Sequence, residues 1–308
     1  MKRLFPCTLL LCMAGAIQVH AQNPPVPTTP PNGGPTPMMG MPGAGGRSAA
    51  PKPYGEVITA KAKTDRGLLT THKVDDKYFF EIPDSVLGRE ILVVNRISKA
   101  AAGARAGFTG YAGDQISDNV ITFEKGPNNR IFMKSISYQE SASDSLGMYQ
   151  SVRNSNLQPI VAAFDVKAYG QDSVTKSRSS VIEMTDYIQG DNEILYFDSR
   201  VKRALGLSTY QSNNSYIADV RSYPSNVQIK TVKTYMRTPP ATTLFGAPTP
   251  ATSPFGAASG SPTTYELNSS MILLPRRPMQ PRYFDPRVGY FATSVTDFDA
   301  NPQGVERI

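Results

Sequence analysis

The feature of this sequence that most constrains its fold is a series of short runs that alternate apolar and polar residues or concentrate β-branched ones. In "KYFFEI", a period of two places Tyr78, Phe80 and Ile82 on one face of a strand. The run "EILVVNRIS" (90–98) is rich in β-branched residues, which is typical of a buried strand. Further runs with strand character lie at 119–138, 159–169, 179–187, 226–236, 264–274 and 288–298.

Helical patterns are sparse by comparison. Short helices are indicated at 143–156 and at 199–206, the second of which ends at Gly206. Residues 83–88 indicate a short turn. Because strands dominate and helices are few, we predict a fold that is mainly β to α+β, with antiparallel sheets and a few short helices.

Two loops are expected to join neighbouring strands. The sequence "GPNN" (126–129) is typical of a tight hairpin turn inside the run 119–138. The Pro/Thr/Gly-rich stretch 238–264 lies between two strand-like runs and indicates an extended hairpin loop.

The N-terminus "MKRLFPCTLLLCMAGAIQVHAQ" has the features of a secretory signal peptide (1–21): a positive start, a short apolar stretch and small residues before a cleavage site at about Ala21. Cys12 leaves a lipoprotein alternative open, although Leu11 is bulkier than the residue usually found before a lipidated cysteine. Residues 22–53 are rich in Pro, Gly and Met, which predicts a disordered tether. We expect the mature chain to be periplasmic, on the cell surface or secreted, with no transmembrane segment.

Cleavage at this position leaves His72 as the only histidine and removes both cysteines. Catalytic zinc needs about three protein ligands, usually including two or three histidines. The sequence therefore predicts no catalytic, cofactor-binding or metal-binding residues in this chain, and a structural role for His72 on a strand near a turn. The formal charge of +7 comes from scattered Lys and Arg residues, so nucleic acid is not an expected partner.

Weaker motifs are interpreted as chance matches. Ser173 and Lys176 have S-x-x-K spacing, but S-D-N (117–119) comes before them and no K-T-G follows. The acidic residues near Asp191 and Asp297 are more typical of solvated turns than of calcium sites.

Three long stretches carry a family resemblance. They are "GLLTTHKVDDKYFFEIPDSVLGREILVVNRISK" (67–99), "YQSVRNSNLQPIVAAFDVKAY" (149–169) and "NSSMILLPRRPMQPRYFDPRVGYF" (268–291). In this order they resemble the N-terminal half of a family of exported bacterial zinc-dependent metalloproteases. In that family, two regions of unknown function precede a metalloprotease domain with H-E-x-x-H. The resemblance implies a small N-terminal β region at 54–103 and a β-rich region at 104–308 that ends in a connector to the metalloprotease domain.

The resemblance also carries expectations about function. It implies a metalloprotease catalytic domain as the partner in cis, a protein or peptide substrate as a further candidate partner, and zinc only in that domain. The family's catalytic glutamate and zinc ligands have no matching positions here, so this chain alone is expected to be inactive. The expected role is a non-catalytic scaffold or a prodomain-like part. A stand-alone binding or structural protein of the cell envelope and an enzyme without zinc are the alternatives.

The segment "PMQPRYFDPRVGYF" (278–291) gives this expectation a candidate surface. Its prolines favour extended backbone and block a helix. Guanidinium groups can pair with carboxylates on a neighbouring domain, and aromatic rings can supply apolar contact area. We hypothesise a rigid bracket for a protease domain; the alternative is an edge segment that packs on its own sheet. The candidate docking residues are Arg276, Arg277, Arg282, Tyr283, Phe284, Arg287, Tyr290 and Phe291.

Overall fold

The fold is built from strands that pair mainly with their neighbours along the chain. The computed structural model describes residues 50–104, 109–138, 140–141, 150–151, 155–171, 177–238, 260–277, 279–280, 287 and 296–297. The predicted signal peptide and the tether up to residue 49 lie outside the described residues.

The described strands fall into an N-terminal and a C-terminal group. The first group is β1 Lys63–Asp65, β2 Thr70–Val74, β3 Lys77–Pro83, β4 Ile91–Ala100, β5 Gln115–Gly126, β6 Arg130–Ile136 and β7 Glu140–Ser141. The second group is β8 Ile160–Gln171, β9 Arg178–Glu183, β10 Leu207–Tyr210, β11 Tyr216–Ser222, β12 Asn226–Arg237, β13 Pro262–Leu273 and β14 Thr296–Asp297.

The helices are short. They are α1 Tyr54–Val57, α2 Thr185–Gln189, α3 Ser199–Leu205 and a 3-10 turn at Ser212–Asn214. In α3, the Asp198 carboxylate accepts a hydrogen bond from the Val201 N–H at 2.6 Å, and Gly206 ends the helix with a φ of 67°. A short polar side chain before the helix and a left-handed glycine after it are the usual caps, and the helix predicted at 199–206 is confirmed.

Twelve of the strands form one sheet in the order β1-β2-β3-β9-β8-β6-β5-β4-β13-β12-β10, with β11 also paired to β12. Its pairs are antiparallel, while β14 and β7 form a separate parallel pair. The predicted fold class, antiparallel sheet with a few short helices, is therefore confirmed.

The two ends of this sheet approach each other. The Leu68 N–H, just before β2, donates to the Tyr223 carbonyl at 2.7 Å. The Ser222 N–H, at the end of β11, donates to the Asp65 carboxylate of β1 at 2.9 Å. The sheet thus curls around the main apolar core instead of lying flat. A small separate cluster of Phe79, Ala168 and Val181 packs beside α1.

One irregular segment lies inside the curl. Residues 194–197 are buried in the core. Side chains of the sheet hold this segment by its backbone: Asn95 donates to the Ile194 carbonyl at 2.7 Å, and Ser269 donates to the Leu195 carbonyl. Ser117 of β5 likewise donates to the Tyr196 carbonyl at 2.9 Å. Because buried carbonyls need partners, polar side chains of the sheet allow this irregular segment to lie in the core.

The two regions expected from the resemblance share this sheet. The strand β3, from region 54–103, pairs with β9, and β4 pairs with β13. The core is correspondingly continuous across both regions. The N-terminal region is thus completed by strands that follow it in the chain.

Most strand predictions are confirmed. Tyr78, Phe80 and Ile82 are all buried on β3. At the predicted 126–129 turn, Asn128 and Asn129 have φ values of 58° and 55°, a conformation that asparagine tolerates better than most residues. The predicted long hairpin is also confirmed, because β12 and β13 pair along their whole length.

The strand predicted at 179–187 is wrong in its last part. β9 ends at Glu183, and α2 begins at Thr185. The Thr185 hydroxyl accepts the N–H of Tyr78 at 2.9 Å, which ends the pairing with β3. Most of the helix predicted at 143–156 and of the strand predicted at 288–298 lies outside the described residues.

The ordered part of the chain also begins before the predicted boundary. The Lys52 N–H donates to the Lys167 carbonyl at 2.8 Å, which joins Lys52 to β8. Residues 50–53 were expected to belong to the tether, but they pack with the sheet because β8 offers them an open backbone edge.

Candidate functional site

Lys233 is the most unusual ionisable residue in the described structure. It lies on β12 with its side chain turned into the core, and it is 0% exposed. Its ammonium group donates to the carbonyls of Ile188, Gln189 and Gly190 at 2.8, 2.7 and 2.8 Å. These carbonyls end α2, where the helix dipole favours a positive charge.

Aromatic rings complete the surroundings of Lys233. Its nitrogen lies 4.1 Å from the centre of the Tyr196 ring and 5.2 Å from that of Tyr210, distances that suit cation–π attraction. Nearby, Asp191 accepts a hydrogen bond from Tyr235 at 2.9 Å and pairs with Lys202 at 2.8 Å. The cluster thus joins two lysines, one carboxylate and several phenols at one end of the core.

The pKa of Lys233 is shifted as in many active sites, but its burial and hydrogen bonds indicate a structural role. Burial lowers the pKa of Lys233 to about 7, although the nearby Asp191 raises it. An amine with such a pKa is a good nucleophile in water. However, all three N–H bonds of Lys233 are directed at backbone carbonyls and the side chain is buried. We therefore assign Lys233 the role of fixing the end of α2 to β12.

A second polar cluster lies on the opposite side of the sheet, beneath α1. His72 on β2 and Glu81 on β3 are both buried, and the His72 Nε2 lies 3.0 Å from a Glu81 carboxylate oxygen. The His72 Nδ1 lies 2.8 Å from the hydroxyl of Thr64. Both ring nitrogens of His72 therefore have a hydrogen-bond partner within the protein.

Glu81 is the centre of this second cluster. Its carboxylate also accepts hydrogen bonds from Tyr54 at 2.8 Å and from Ser179 at 2.5 Å. Burial raises the pKa of Glu81, but hydrogen bonds from His72, Ser179 and Tyr54 outweigh it and hold the pKa below its ordinary value. Glu81 is therefore an ionised carboxylate on β3 whose hydrogen bonds connect this strand with α1, β2 and β9.

Gly170 on β8 shows how closely this cluster is packed. A Cβ atom at this position would lie 2.7 Å from the Tyr54 ring and 2.9 Å from both Glu81 Oε1 and Ser179 Oγ. A side chain would therefore push into the hydrogen-bonded oxygens, so glycine is required by close approach and not by a special φ.

Sequence reasoning predicted His72 on a strand in a structural role, and the structure places it on β2 among structural partners. It missed Lys233 and Glu81. A signal for Lys233 was present, since Val227, Ile229, Thr231 and Lys233 share one parity on β12 and all four are buried. A signal for Glu81 was the hairpin that places it diagonally across from His72.

The candidate docking residues are only partly within the described structure. Arg276 and Arg277 are exposed, just after β13 ends, and Arg287 is exposed as well. Arg282, Tyr283, Phe284, Tyr290 and Phe291 lie outside the described residues. The point where the chain leaves β13 is well fixed: the Leu274 N–H donates to the Glu90 carbonyl at 3.0 Å, and Arg89 donates to the Leu274 carbonyl at 2.6 Å.

Open grooves lined by described residues include two of about 220 and 270 Å³. The smaller is lined by β11 and β12, where Asp219 and Arg221 pair with each other at 2.9 Å. The larger lies between residues 109–116 and α3. Neither groove contains a nucleophile paired with a base among its described lining residues.

Within the described residues, no group of three or more His, Cys, Asp or Glu side chains is arranged to hold a metal ion. The helices in the same ranges are all too short or too polar to cross a membrane.

Comparison with protein families places the chain. A family model described as Domain of unknown function (DUF5117) matches residues 113–308, which is more than half of the sequence. The chain belongs to the DUF5117 family. A second model, described as Domain of unknown function (DUF5118), matches residues 51–100. No curated protein and no solved structure matched the chain.

The two family matches meet in one core. The DUF5118 match contains β1 to β4, and the DUF5117 match contains β5 to β14. Because β3 and β4 are hydrogen-bonded to β9 and β13, the DUF5117 part of this chain shares its sheet with the DUF5118 part.

Proposed function

We propose that this chain is a non-catalytic scaffold that supports a zinc-dependent metalloprotease domain. The resemblance of residues 67–99, 149–169 and 268–291 to the N-terminal half of exported zinc metalloproteases supports the proposal. The single observation that carries it is the state of His72, which is buried with both ring nitrogens engaged. Zinc could bind this imidazole only if the Glu81 cluster came apart.

The arrangement of the other buried ionisable groups supports the same role. Lys233 fixes the end of α2 to the sheet through three hydrogen bonds. Glu81 holds α1 through the hydrogen bond from Tyr54 and connects β3 with β2 and β9 through His72 and Ser179. Groups used in this way give a rigid surface and leave no reactive atom of these two side chains exposed. Rigidity of this kind is what a scaffold for another domain requires.

The proposed docking surface begins where the chain leaves β13. Arg276 and Arg277 are exposed there, beside a backbone fixed by Arg89 and Glu90. Guanidinium groups on a fixed backbone can bind carboxylates without the further cost of ordering the backbone. The proposal extends this surface to Arg282, Tyr283, Phe284, Arg287, Tyr290 and Phe291.

The proposal includes export. The positive start, apolar stretch and small residues of 1–21 favour a cleaved signal peptide, and 22–49 has the composition of a tether. The scaffold and its protease domain would then act outside the cytoplasm, on a protein or peptide substrate.

The test is binding of this chain to a metalloprotease domain carrying H-E-x-x-H, taken from a homologue that has both regions. Isothermal titration calorimetry with the wild-type chain should give a saturable complex. The double variant Arg276→Ala/Arg277→Ala should bind at least tenfold more weakly. The matched control Arg200→Ala/Arg203→Ala, two exposed arginines on α3, should bind like the wild type.

If the wild-type chain does not bind the domain and leaves its hydrolysis of casein unchanged, the scaffold proposal is wrong. A stand-alone role in the cell envelope would then be the better account.

A further inference from the structure

Hydrogen bonds join a hydroxyl, an imidazole and a carboxylate in series at one edge of the sheet. Thr64 lies on β1, at one end of the strand order, directly opposite His72 on β2. The Thr64 hydroxyl lies 2.8 Å from Nδ1 of His72, and Nε2 of the same ring lies 3.0 Å from the Glu81 carboxylate. A nucleophile, a base and a group that orients the base are arranged in this way where enzymes activate a hydroxyl.

The ionised state of Glu81 determines which nitrogen of His72 carries the proton. An ionised carboxylate only accepts hydrogen bonds, so the contact with Glu81 requires a proton on Nε2 of His72. In the neutral imidazole, Nδ1 then has a lone pair and accepts the hydrogen bond from the Thr64 hydroxyl. This is the orientation in which an imidazole can take the proton of a hydroxyl as a general base.

Thr64 is the group that a reactant can reach. Thr64 is exposed, whereas His72 and Glu81 are buried. The ring of Tyr54 packs edge-on against the imidazole, with the two ring centres 6.4 Å apart. Burial and Glu81 raise the pKa of Tyr54, and the charge of Arg66 acts in the opposite direction, which places this exposed guanidinium near the cluster. A positive charge there favours the negative oxygen that forms when a carbonyl group is attacked.

We propose that Thr64 is an acylation site, at which an activated ester transfers its acyl group to the hydroxyl. Oγ1 of Thr64 attacks the carbonyl carbon of the ester while the hydroxyl proton passes to Nδ1 of His72. The bond between that carbon and the leaving oxygen then breaks, and the leaving oxygen takes the proton from His72. The products are an ester of Thr64 and a free alcohol or phenol.

This reaction differs from proteolysis. The leaving group of an activated ester is stable as an anion, whereas the amine of a peptide bond must be protonated in order to leave. The inference concerns a modification of the chain itself, so it does not depend on the proposed support of a metalloprotease domain.

The test uses the full chain and p-nitrophenyl acetate, a small activated ester. We expect intact mass spectrometry to show the addition of an acetyl group and fragmentation to locate it on Thr64. Neutral hydroxylamine should remove this group, because it cleaves esters and leaves the amides that form at lysines. In the urea-unfolded protein, Thr64 should be acetylated at least tenfold more slowly, because the hydroxyl then has no base beside it.

Variants separate the roles of the hydroxyl and the imidazole. Thr64→Val should abolish the adduct, whereas Thr64→Ser keeps the hydroxyl and should form it. His72→Gln should slow its formation at least tenfold. The matched control Thr209→Val, at an exposed threonine of β10 at the other end of the strand order, should react like the wild type.

Far-ultraviolet circular dichroism checks that each variant is folded. If His72→Gln does not fold, the comparison of folded with urea-unfolded wild-type protein still tests the need for the folded cluster. The inference is overturned if Thr64 is acetylated no faster than Thr209 in the folded protein, or if urea does not slow the reaction. It is also overturned if a folded His72→Gln variant reacts like the wild type.

Discussion

Lys233 and Glu81 are buried charges on opposite sides of the same sheet, and they are stabilised differently. Lys233 faces the inside of the curl, where backbone carbonyls of Ile188, Gln189 and Gly190 accept its three N–H bonds. Glu81 faces the outside, where the side chains of His72, Tyr54 and Ser179 surround its carboxylate. Each charge nevertheless has the same role, which is to hold a short helix against the sheet.

The two clusters differ in what the loss of the charged side chain would leave buried. The carbonyls around Lys233 belong to one continuous turn, so loss of the lysine leaves several acceptors buried together. The donors around Glu81 come from separate elements, and Tyr54 is only half-buried. We therefore expect the inner cluster, around Lys233, to be essential for the core. We expect the outer cluster, around Glu81, to control how tightly α1 is held.

The largest expected effect is from Lys233→Met, which keeps the volume but removes the donors. Three carbonyls would lose their partners, and we expect a loss of about 3 kcal/mol in the free energy of unfolding. Urea unfolding followed by circular dichroism measures it. Lys230→Met, at an exposed position of the same strand, should change stability by less than about 0.5 kcal/mol. Equal losses in the two variants would refute the assigned role of Lys233.

Glu81→Gln should have the next largest effect. An amide group at this position cannot accept all the hydrogen bonds that the carboxylate receives, so we expect a loss of about 2 kcal/mol. Glu183→Gln, which affects an ion pair with the exposed Lys77, should cost about 0.5 kcal/mol or less. Wild-type stability in Glu81→Gln would mean that the outer cluster contributes nothing.

The stability that Glu81 contributes should depend on pH. The change with pH cannot exceed the loss of stability expected for Glu81→Gln. Since the pKa of Glu81 is lower in the folded protein than its ordinary value of 4.5, its stabilising effect is complete above that value. It is lost as the pH falls through the folded-state pKa. The stability difference between the wild type and Glu81→Gln, measured by urea unfolding from about pH 7 to pH 3, should therefore shrink on acidification. A stability difference that does not change with pH would contradict the assignment of Glu81 as an ionised, hydrogen-bonded carboxylate.

The smallest expected effect is from Tyr54→Phe. It removes one hydrogen bond to Glu81 and leaves the ring, so we expect a loss of about 1 kcal/mol or less. Hydrogen exchange should rise in residues 50–58 and stay unchanged in α2. Faster hydrogen exchange in α2 as well would show that the Glu81 and Lys233 clusters are coupled, which would contradict their separate roles.

The sequence was informative where the signal is local. Alternation in "KYFFEI" and the Asn128–Asn129 turn depend on neighbouring residues, and both predictions are confirmed. The end of β9 could not be predicted, because α2 is fixed by Lys233, which lies more than forty residues further along the chain. Lysine is normally exposed, so its position on the buried face of β12 was a weak signal. The carbonyls at the end of α2 that accept its hydrogen bonds could not be recognised from the sequence.

The candidate site shows the same limit. His72 and Glu81 are close because of a short hairpin, whereas Ser179 arrives from β9 through sheet pairing that only the fold reveals. Arg276 and Arg277 are exposed, which a docking role requires, and no contact in the described structure tests that role. The docking residues therefore stay a prediction.

The proposal that this chain supports proteolysis without performing it is tested most directly by zinc stoichiometry. A chain that begins at Gln22, after the predicted cleavage site, would be equilibrated with zinc, desalted, and analysed for bound metal and for casein hydrolysis. We expect far less than one zinc ion per chain and no hydrolysis. One tightly bound zinc ion per chain, together with hydrolysis that a chelator abolishes, would contradict it.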